Sequence, residues 1–446
     1  MENIVIIGNG ISGITAARHI RKKSNLNITV ISSETKYFFS RTALMYIYMG
    51  HMKFEHTQPY EPWFWEKNRI NLIQDYVETI DFKNKSLSLK NGQPVKYDKL
   101  ILAVGSKPNK FGWPGQDLKG VQGLYSYQDL LELEENTKNG IKRAVIVGGG
   151  LIGIELAEML LSRNYPVTFL VREKSFWGNI LPKEDSELIM RHMAEHHVDL
   201  KTETELKEII PNNNGRVKSI ITNNREEIEC ELVGLTAGVS PNIDFLKNSE
   251  LDLDKGILVN EFLETNQKDV YAIGDCAQFK QHPKKDRKPI EQVWYTGRMM
   301  GETVANTVCG KKLAYNPGHW FNSAKFFDIE YQTYGWVFNK ALENEEHFFW
   351  QDKTGKIAIR LAYDKDSRLF HGINTYGIRM RHHAFDKWLT EKRTVEYVLE
   401  HLKDANFDPE FYTNYESLIL NEFNLKNNTY VKPKSKSWKR ILSFNS

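Results

Sequence analysis

The sequence predicts an α/β protein with two parallel-sheet domains of one design, followed by a smaller α+β domain. Three observations predict it. Gly8-Asn9-Gly10-Ile11-Ser12-Gly13 follows the apolar stretch Ile4-Val5-Ile6-Ile7 and opens a helix-forming run. Gly148-Gly149-Gly150-Leu151-Ile152-Gly153 follows Ala144-Val145-Ile146-Val147 in the same way. From about residue 320 the texture changes to alternating aromatics, as in Phe326 to Tyr334 and Ile357-Ala358-Ile359, which reads as an antiparallel sheet. Helical spacing returns near 383–403.

Each glycine of such a loop has its own task. Gly8 and Gly148 permit a tight turn, and Gly10 and Gly150 let the backbone approach a pyrophosphate. Gly13 and Gly153 allow the helix to pack closely on the strand. Free N–H groups and a partial positive charge at the helix N-terminus complete an anion site. One loop of this kind arises by chance. Two, each between a strand and a helix, predict Rossmann-like domains that hold two dinucleotides and move electrons between them.

Residues 1–36 read as β–loop–α–β, with a helix beginning over Ile14 to His19 and a second strand at Ile28 to Ile31. Glu34 stands about 20 residues past the loop, near where an acid meets a ribose hydroxyl. Lys99 to Ser106 is a buried strand ending in a turn at Gly105, and residues 109–120, rich in glycine, form a crossover. The second unit runs from about 142 to 245. Its second strand, Val167 to Val171, ends at Arg172 rather than an acid, and a guanidinium suits the 2′-phosphate of NADPH. Glu173 follows and keeps NADH open. Asp269 to Ala277 is a short apolar strand with a Gly274-Asp275 pair.

The 446 residues, 41% hydrophobic and 26% charged, describe an ordinary globular chain of two to four domains. A net charge of +3 is too small to argue for nucleic acid. Cys230, Cys276 and Cys309 lie far apart with no CxxC, which argues against a disulfide framework, a cysteine zinc site and a redox dithiol, and fits a reducing compartment. The chain enters a strand by its third or fourth residue, leaving no room for a signal peptide. Ala144 to Leu161 carries Glu155 and Glu158 and belongs to the second loop, not to a membrane span, so the expectation is a cytoplasmic protein. His192, His196 and His197 stand on a polar amphipathic helix beside Glu195, and His382 and His383 are adjacent; both groups read as solvated surface, with no metal expected. Two basic segments remain: Lys280, Lys284, Lys285, Arg287 and Lys288, and a tail with Lys432, Lys434, Lys436, Lys439 and Arg440. They read as solvated charge or, functionally, as docking surfaces for an acidic carrier protein and an anionic surface.

Together these segments resemble the two-dinucleotide flavoproteins of the pyridine nucleotide–disulfide oxidoreductase family. The chain is most similar to the branch without a redox disulfide: ferredoxin and rubredoxin reductases and apoptosis-inducing factor. The resemblance implies a three-layer ββα flavoprotein fold, with an FAD domain at 1–112 and 246–318. It further implies an NAD(P)H domain at 113–245 and a C-terminal interface domain at 319–446. The first loop then holds FAD and the second NADPH or NADH. Leu100 to Gly105 matches the second FAD element, and Gly274-Asp275 the third, whose Asp binds the ribityl–pyrophosphate region. Val77 falls where the family gives backbone contacts to adenine, and Thr236 to Asn242, around Gly238, resembles the turn beneath the nicotinamide. Phe39-Ser40-Arg41-Thr42-Ala43-Leu44 resembles the family's stretch near the flavin, and His319-Trp320-Phe321-Asn322-Ser323-Ala324 the start of its third domain.

Departures are visible too. The family's lysine near flavin N5 falls at Tyr46, while its acidic partner is kept as Glu155, the candidate for tuning the flavin. A Trp over the nicotinamide pocket is replaced by Asn322, and an Asp by Ala324. The implied function is an FAD-dependent NAD(P)H oxidoreductase passing hydride to flavin and electrons to a ferredoxin- or rubredoxin-like carrier. The alternatives are a quinone or nitrite-type reductase component, and a redox-sensing NADH-binding flavoprotein with slow turnover. The oligomeric state, a homodimer included, stays open.

Overall fold

The computed structural model describes residues 1–408 and 413–434. They form two compact units: Met1–Arg172 with His197–Pro317, and Glu173–His196 with the chain from Gly318 onward.

Two five-stranded parallel sheets make the first unit. One runs in the order Val270–Ala272, Lys99–Leu102, Asn3–Ile7, Asn27–Ser32, Ile70–Gln74. The other runs Asp199–Lys201, Val167–Leu170, Ala144–Val147, Leu232–Leu235, Val121–Gln122. The strand before each glycine loop is central in its sheet: Ile4 pairs with Ile28 and Lys99, and Ala144 with Val167 and Leu232. Such strands are covered on both faces, so Ile-Val-Ile-Ile and Ala-Val-Ile-Val are continuous apolar runs rather than alternating ones. An antiparallel meander packs into each core: Val77–Asp81, Ser86–Leu89 and Val95–Lys96 for the first, Leu206–Pro211, Val217–Thr222 and Glu227–Glu229 for the second. With the helices on the other face this is the three-layer ββα arrangement.

The helix after the first loop, Ile11–Lys23, is longer than the Ile14–His19 start, because the loop's Ser12 and Gly13 already lie in its first turn. It packs on Trp294–Val308 so closely that a Cβ at Gly301 would lie 2.5 Å from the Ser12 carbonyl oxygen. Only a glycine permits that approach.

The second unit holds a five-stranded antiparallel sheet in the order Phe321–Phe326, Ile329–Gly335, Phe370–Tyr376, Ala358–Asp364, Glu345–Gln351. Its apolar core joins Ile359, Leu361, Phe385, Trp388, Val398 and Phe423 from the sheet and the helices His382–Thr390, Val395–Glu400 and Glu416–Asn427. The stretch Phe326 to Tyr334 lies in this antiparallel sheet, as expected, and spans the turn between its first two strands. Phe327 takes φ +57° and turns the chain at Asp328. The helix Lys183–Glu195 belongs to this unit although it lies within residues 113–245. Its fully buried Asp185 accepts hydrogen bonds from Tyr376 Oη (2.9 Å) and Asn374 Nδ2 (3.2 Å) and pairs with Arg360. No helix among the described residues is long and apolar enough to cross a membrane. Lys436, Lys439 and Arg440 of the basic tail lie outside the described residues.

Candidate functional site

The two glycine loops repeat one geometry. Gly8 has φ +108° and Gly148 φ +118°, a region that L side chains rarely adopt. A Cβ at Gly8 would overlap the Ala103 carbonyl, and one at Gly148 would lie 2.7 Å from the Ala237 backbone. A Cβ at Gly13 would overlap the Gly8 carbonyl, and at Gly153 it would lie 2.7 Å from the Gly148 oxygen. Gly10 and Gly150 differ: nothing lies within 4 Å of either added Cβ. The protein itself requires the outer glycines, whereas the middle ones face open space of the kind a dinucleotide phosphate fits. Asn9 stiffens the first loop, donating to the Thr35 carbonyl (2.7 Å) and accepting from Ser32 Oγ (2.9 Å).

A cavity of about 680 Å³ opens beside the first loop, a size that suits a bound cofactor. Gly8, Gly10, Glu34, Arg41, Val77, Gly105, Glu155 and Asp275 all line it, so eight residues from widely separated stretches converge. Gly105 takes φ +66° where the strand Lys99–Leu102 gives way to the turn. Arg41 donates to both carboxylate oxygens of Glu34 (2.8 and 2.6 Å) and to the Tyr125 carbonyl (2.6 Å). Glu34 also accepts from the Tyr127 N–H (2.8 Å), so its charge fixes Arg41 at the cavity wall as well as facing the cavity itself. Asp275 accepts from Ser106 Oγ (3.1 Å) and Tyr125 Oη (3.3 Å), and burial pushes its carboxyl above the usual range. Burial, and secondarily the charge of Glu158, pushes Glu155 up to about 7.

Gly148, Gly150, Gly153, Arg172 and Gly238 stand outside this cavity, around the second loop. Gly238 takes φ +87° in a turn braced by Asn109, whose N–H donates to the Gly238 carbonyl (3.1 Å). Arg172 is exposed just past the end of the strand Val167–Leu170. The helix opened by the second loop, Leu151–Ser162, nevertheless contributes Ile152 and Glu155 to the cavity beside the first. Tyr46 does not line it, although its neighbours Leu44 and Met45 do.

Sequence reading missed Tyr125, Ser106 and Gln292. Tyr125 reaches both Arg41 and Asp275, and Gln292 donates to Ser106 Oγ (2.8 Å). None carries a motif; Tyr125 follows the glycine-rich crossover, and only the fold brings it here. Arg287 requires a correction. It is buried and donates to Glu291 (3.1 Å), because a guanidinium removed from water needs a carboxylate partner, so it leaves the docking cluster. Lys285 and Lys288 are exposed and Lys284 is half-buried.

The three thiols carry no disulfide, and burial pushes those of Cys230 and Cys276 up to about 12. A thiol so seldom ionised is a poor nucleophile. A variant with Cys230→Ala, Cys276→Ala and Cys309→Ser is expected to keep NAD(P)H-driven reduction of ferricyanide within about threefold of the parent, the result for turnover without a thiolate step. Loss of that activity with flavin still bound would restore a dithiol route.

The family model for pyridine nucleotide-disulphide oxidoreductases matches residues 2–301. The NADH-rubredoxin oxidoreductase of Clostridium acetobutylicum is 34% identical over 318 residues, 70% of this chain and 76% of that one. The rubredoxin-NAD(+) reductase of Acinetobacter baylyi is 30% identical over 285 residues, 62% of this chain and 72% of that one. A ferredoxin reductase from Rhodopseudomonas palustris shares the fold with a TM-score of 0.77 at 20% identity, over 96% of this chain and 100% of that one.

Proposed function

Because the chain belongs to the pyridine nucleotide-disulphide oxidoreductase family and is an FAD-dependent NAD(P)H oxidoreductase, we propose that it serves a small acidic one-electron carrier of the rubredoxin or ferredoxin type. The observation that carries the reading is the shared chamber. Glu155 and Ile152, on the helix opened by the second loop, line the cavity built on the first. FAD, when bound, would supply the hydride acceptor for the nicotinamide and the one-electron donor for the carrier. The chain's part is to hold and orient. Gly8, Gly10 and Gly13 present the helix N-terminus of Ile11–Lys23 to the FAD pyrophosphate, with Asp275, Glu34, Arg41, Gly105 and Val77 around it. Gly148, Gly150, Gly153, Gly238 and Arg172 take the nicotinamide nucleotide. Glu155 holds a proton at the junction of the two sites.

The strands of the first parallel sheet all fall within 1–112 and 246–318, and those of the second within 113–245, which supports the three-domain division. Electrons leave without a thiol, and Lys284, Lys285 and Lys288 offer positive charge to the carrier. The test is NADH- and NADPH-driven reduction of purified rubredoxin and ferredoxin. Rapid steady-state turnover is expected with one of them, and Lys285→Glu with Lys288→Glu should raise the carrier's KM about tenfold at low salt, an effect that salt erases. A reduced protein that neither carrier reoxidises would sink the reading and favour the slow-turnover sensor.

A further inference from the structure

The helix Lys183–Glu195 ends against the turn between the strands Phe321–Phe326 and Ile329–Gly335, and there His192, His196 and Asp328 meet. His192 Nε2 contacts Asp328 Oδ1, and His196 Nε2 lies 3.1 Å from the same oxygen. All three ligand atoms fall within 4.8 Å of one another. Ligands about 2.0–2.2 Å from a tetrahedral cation stand about 3.3 Å apart, so the cluster is already near the size of a metal's coordination shell.

His192 has a carboxylate at each ring nitrogen. Its side chain is 2% exposed, and its other nitrogen, Nδ1, lies 3.2 Å from Glu195 Oε2. With a metal at Nε2, the Nδ1 proton goes to Glu195, the carboxylate–histidine–metal relay that orients such ligands. Further features suit the same occupant. His192 and His196 are four apart on one helix face, and the C-terminal end of a helix favours positive charge. The ring of Phe327 stacks on His196 (4.3 Å, 9° between planes) and holds it toward Asp328. Lys356 Nζ lies 3.2 Å from Glu195 Oε2, the oxygen that also faces His192 Nδ1, and 3.8 Å from Asp328 Oδ2, which leaves Asp328 Oδ1 to the two imidazoles.

We propose that His192, His196 and Asp328 bind one divalent transition-metal ion, of which Zn²⁺ best matches two imidazoles and a carboxylate, and that the ion clips the helix end to the hairpin. Asp328 and His196 are partly exposed, so solvent completes the shell.

The test uses tag-free, full-length flavoprotein stripped with chelator and titrated with Zn²⁺, then with Co²⁺ as an optical probe. Expected are one equivalent of Zn²⁺ with micromolar or tighter affinity, the visible absorption of four-coordinate Co²⁺, and a higher Tm with zinc. Because His192→Ala opens a buried site and can fail to fold, the decisive variants are His196→Ala and Asp328→Asn, checked for flavin content and circular dichroism. Each should weaken Zn²⁺ at least 100-fold and abolish the Tm rise. Absence of saturable binding by the parent protein would overturn the proposal, as would parent-like affinity in both variants.

Discussion

Gly10→Val is expected to leave the fold standing and to empty the first nucleotide site. Gly10 has an ordinary φ of −68°, and no atom lies within 4 Å of an added Cβ, so the flavin-free protein accommodates the side chain. In the proposed site, that space is the path by which the pyrophosphate approaches the backbone. Flavin content should fall at least tenfold, and NAD(P)H oxidation with it, while circular dichroism stays unchanged. Gly8→Val is expected to behave differently. At φ +108° any L side chain is strained by about 1–3 kcal/mol, and its Cβ would overlap the Ala103 carbonyl as well. Soluble yield and Tm should therefore drop with flavin content. If Gly10→Val kept full flavin, or lost its fold as Gly8→Val does, the first loop would not be the pyrophosphate cradle.

Glu155→Gln is expected to remove an ionisation from the pH profile of flavin reduction. With its carboxyl held near 7 by burial and by Glu158, Glu155 passes from neutral to charged across the physiological range. The neutral carboxyl tolerates the negative charge that reduction brings into the chamber, whereas the carboxylate opposes it. In stopped flow, the parent's reduction rate should fall up to about tenfold as pH rises through 7, and the Gln variant should stay flat. Stability follows the same sign. The folded pKa, about 7, lies above the ordinary 4.5, so the neutral form's advantage is complete below about 4.5 and lost as pH rises through about 7. The parent's Tm should consequently decline over that window relative to the variant's. An inflection near 7 that survives in Glu155→Gln would remove this residue from the chemistry.

Much of the site was legible because loop chemistry is local. The glycine spacings need only a strand before and a helix after, and Gly274-Asp275 and Gly105 are read from their own strands. His192 and His196 were visible too, but as a surface pair. Their setting changed when the run Phe326 to Tyr334 broke at Phe327 and brought Asp328 to them. Arg287 was read as solvated charge because sequence alone does not reveal that Glu291, four residues on, is buried with it.

The sequence by itself determined the duplicated parallel-sheet design, since continuous Ile/Val runs demand cover on both faces and glycines at those spacings serve a tight strand-to-helix turn. Only the tertiary structure decided which distant side chains share a space. Tyr125 reaches Asp275 across 150 residues of chain, Arg41 reaches the Tyr125 carbonyl across 84, and Glu155 crosses from the second loop's helix into the first loop's cavity. The physical reason is that these contacts are made by loops and a helix from segments far apart in the chain, each formed by its own local rules, and no local pattern encodes how they meet.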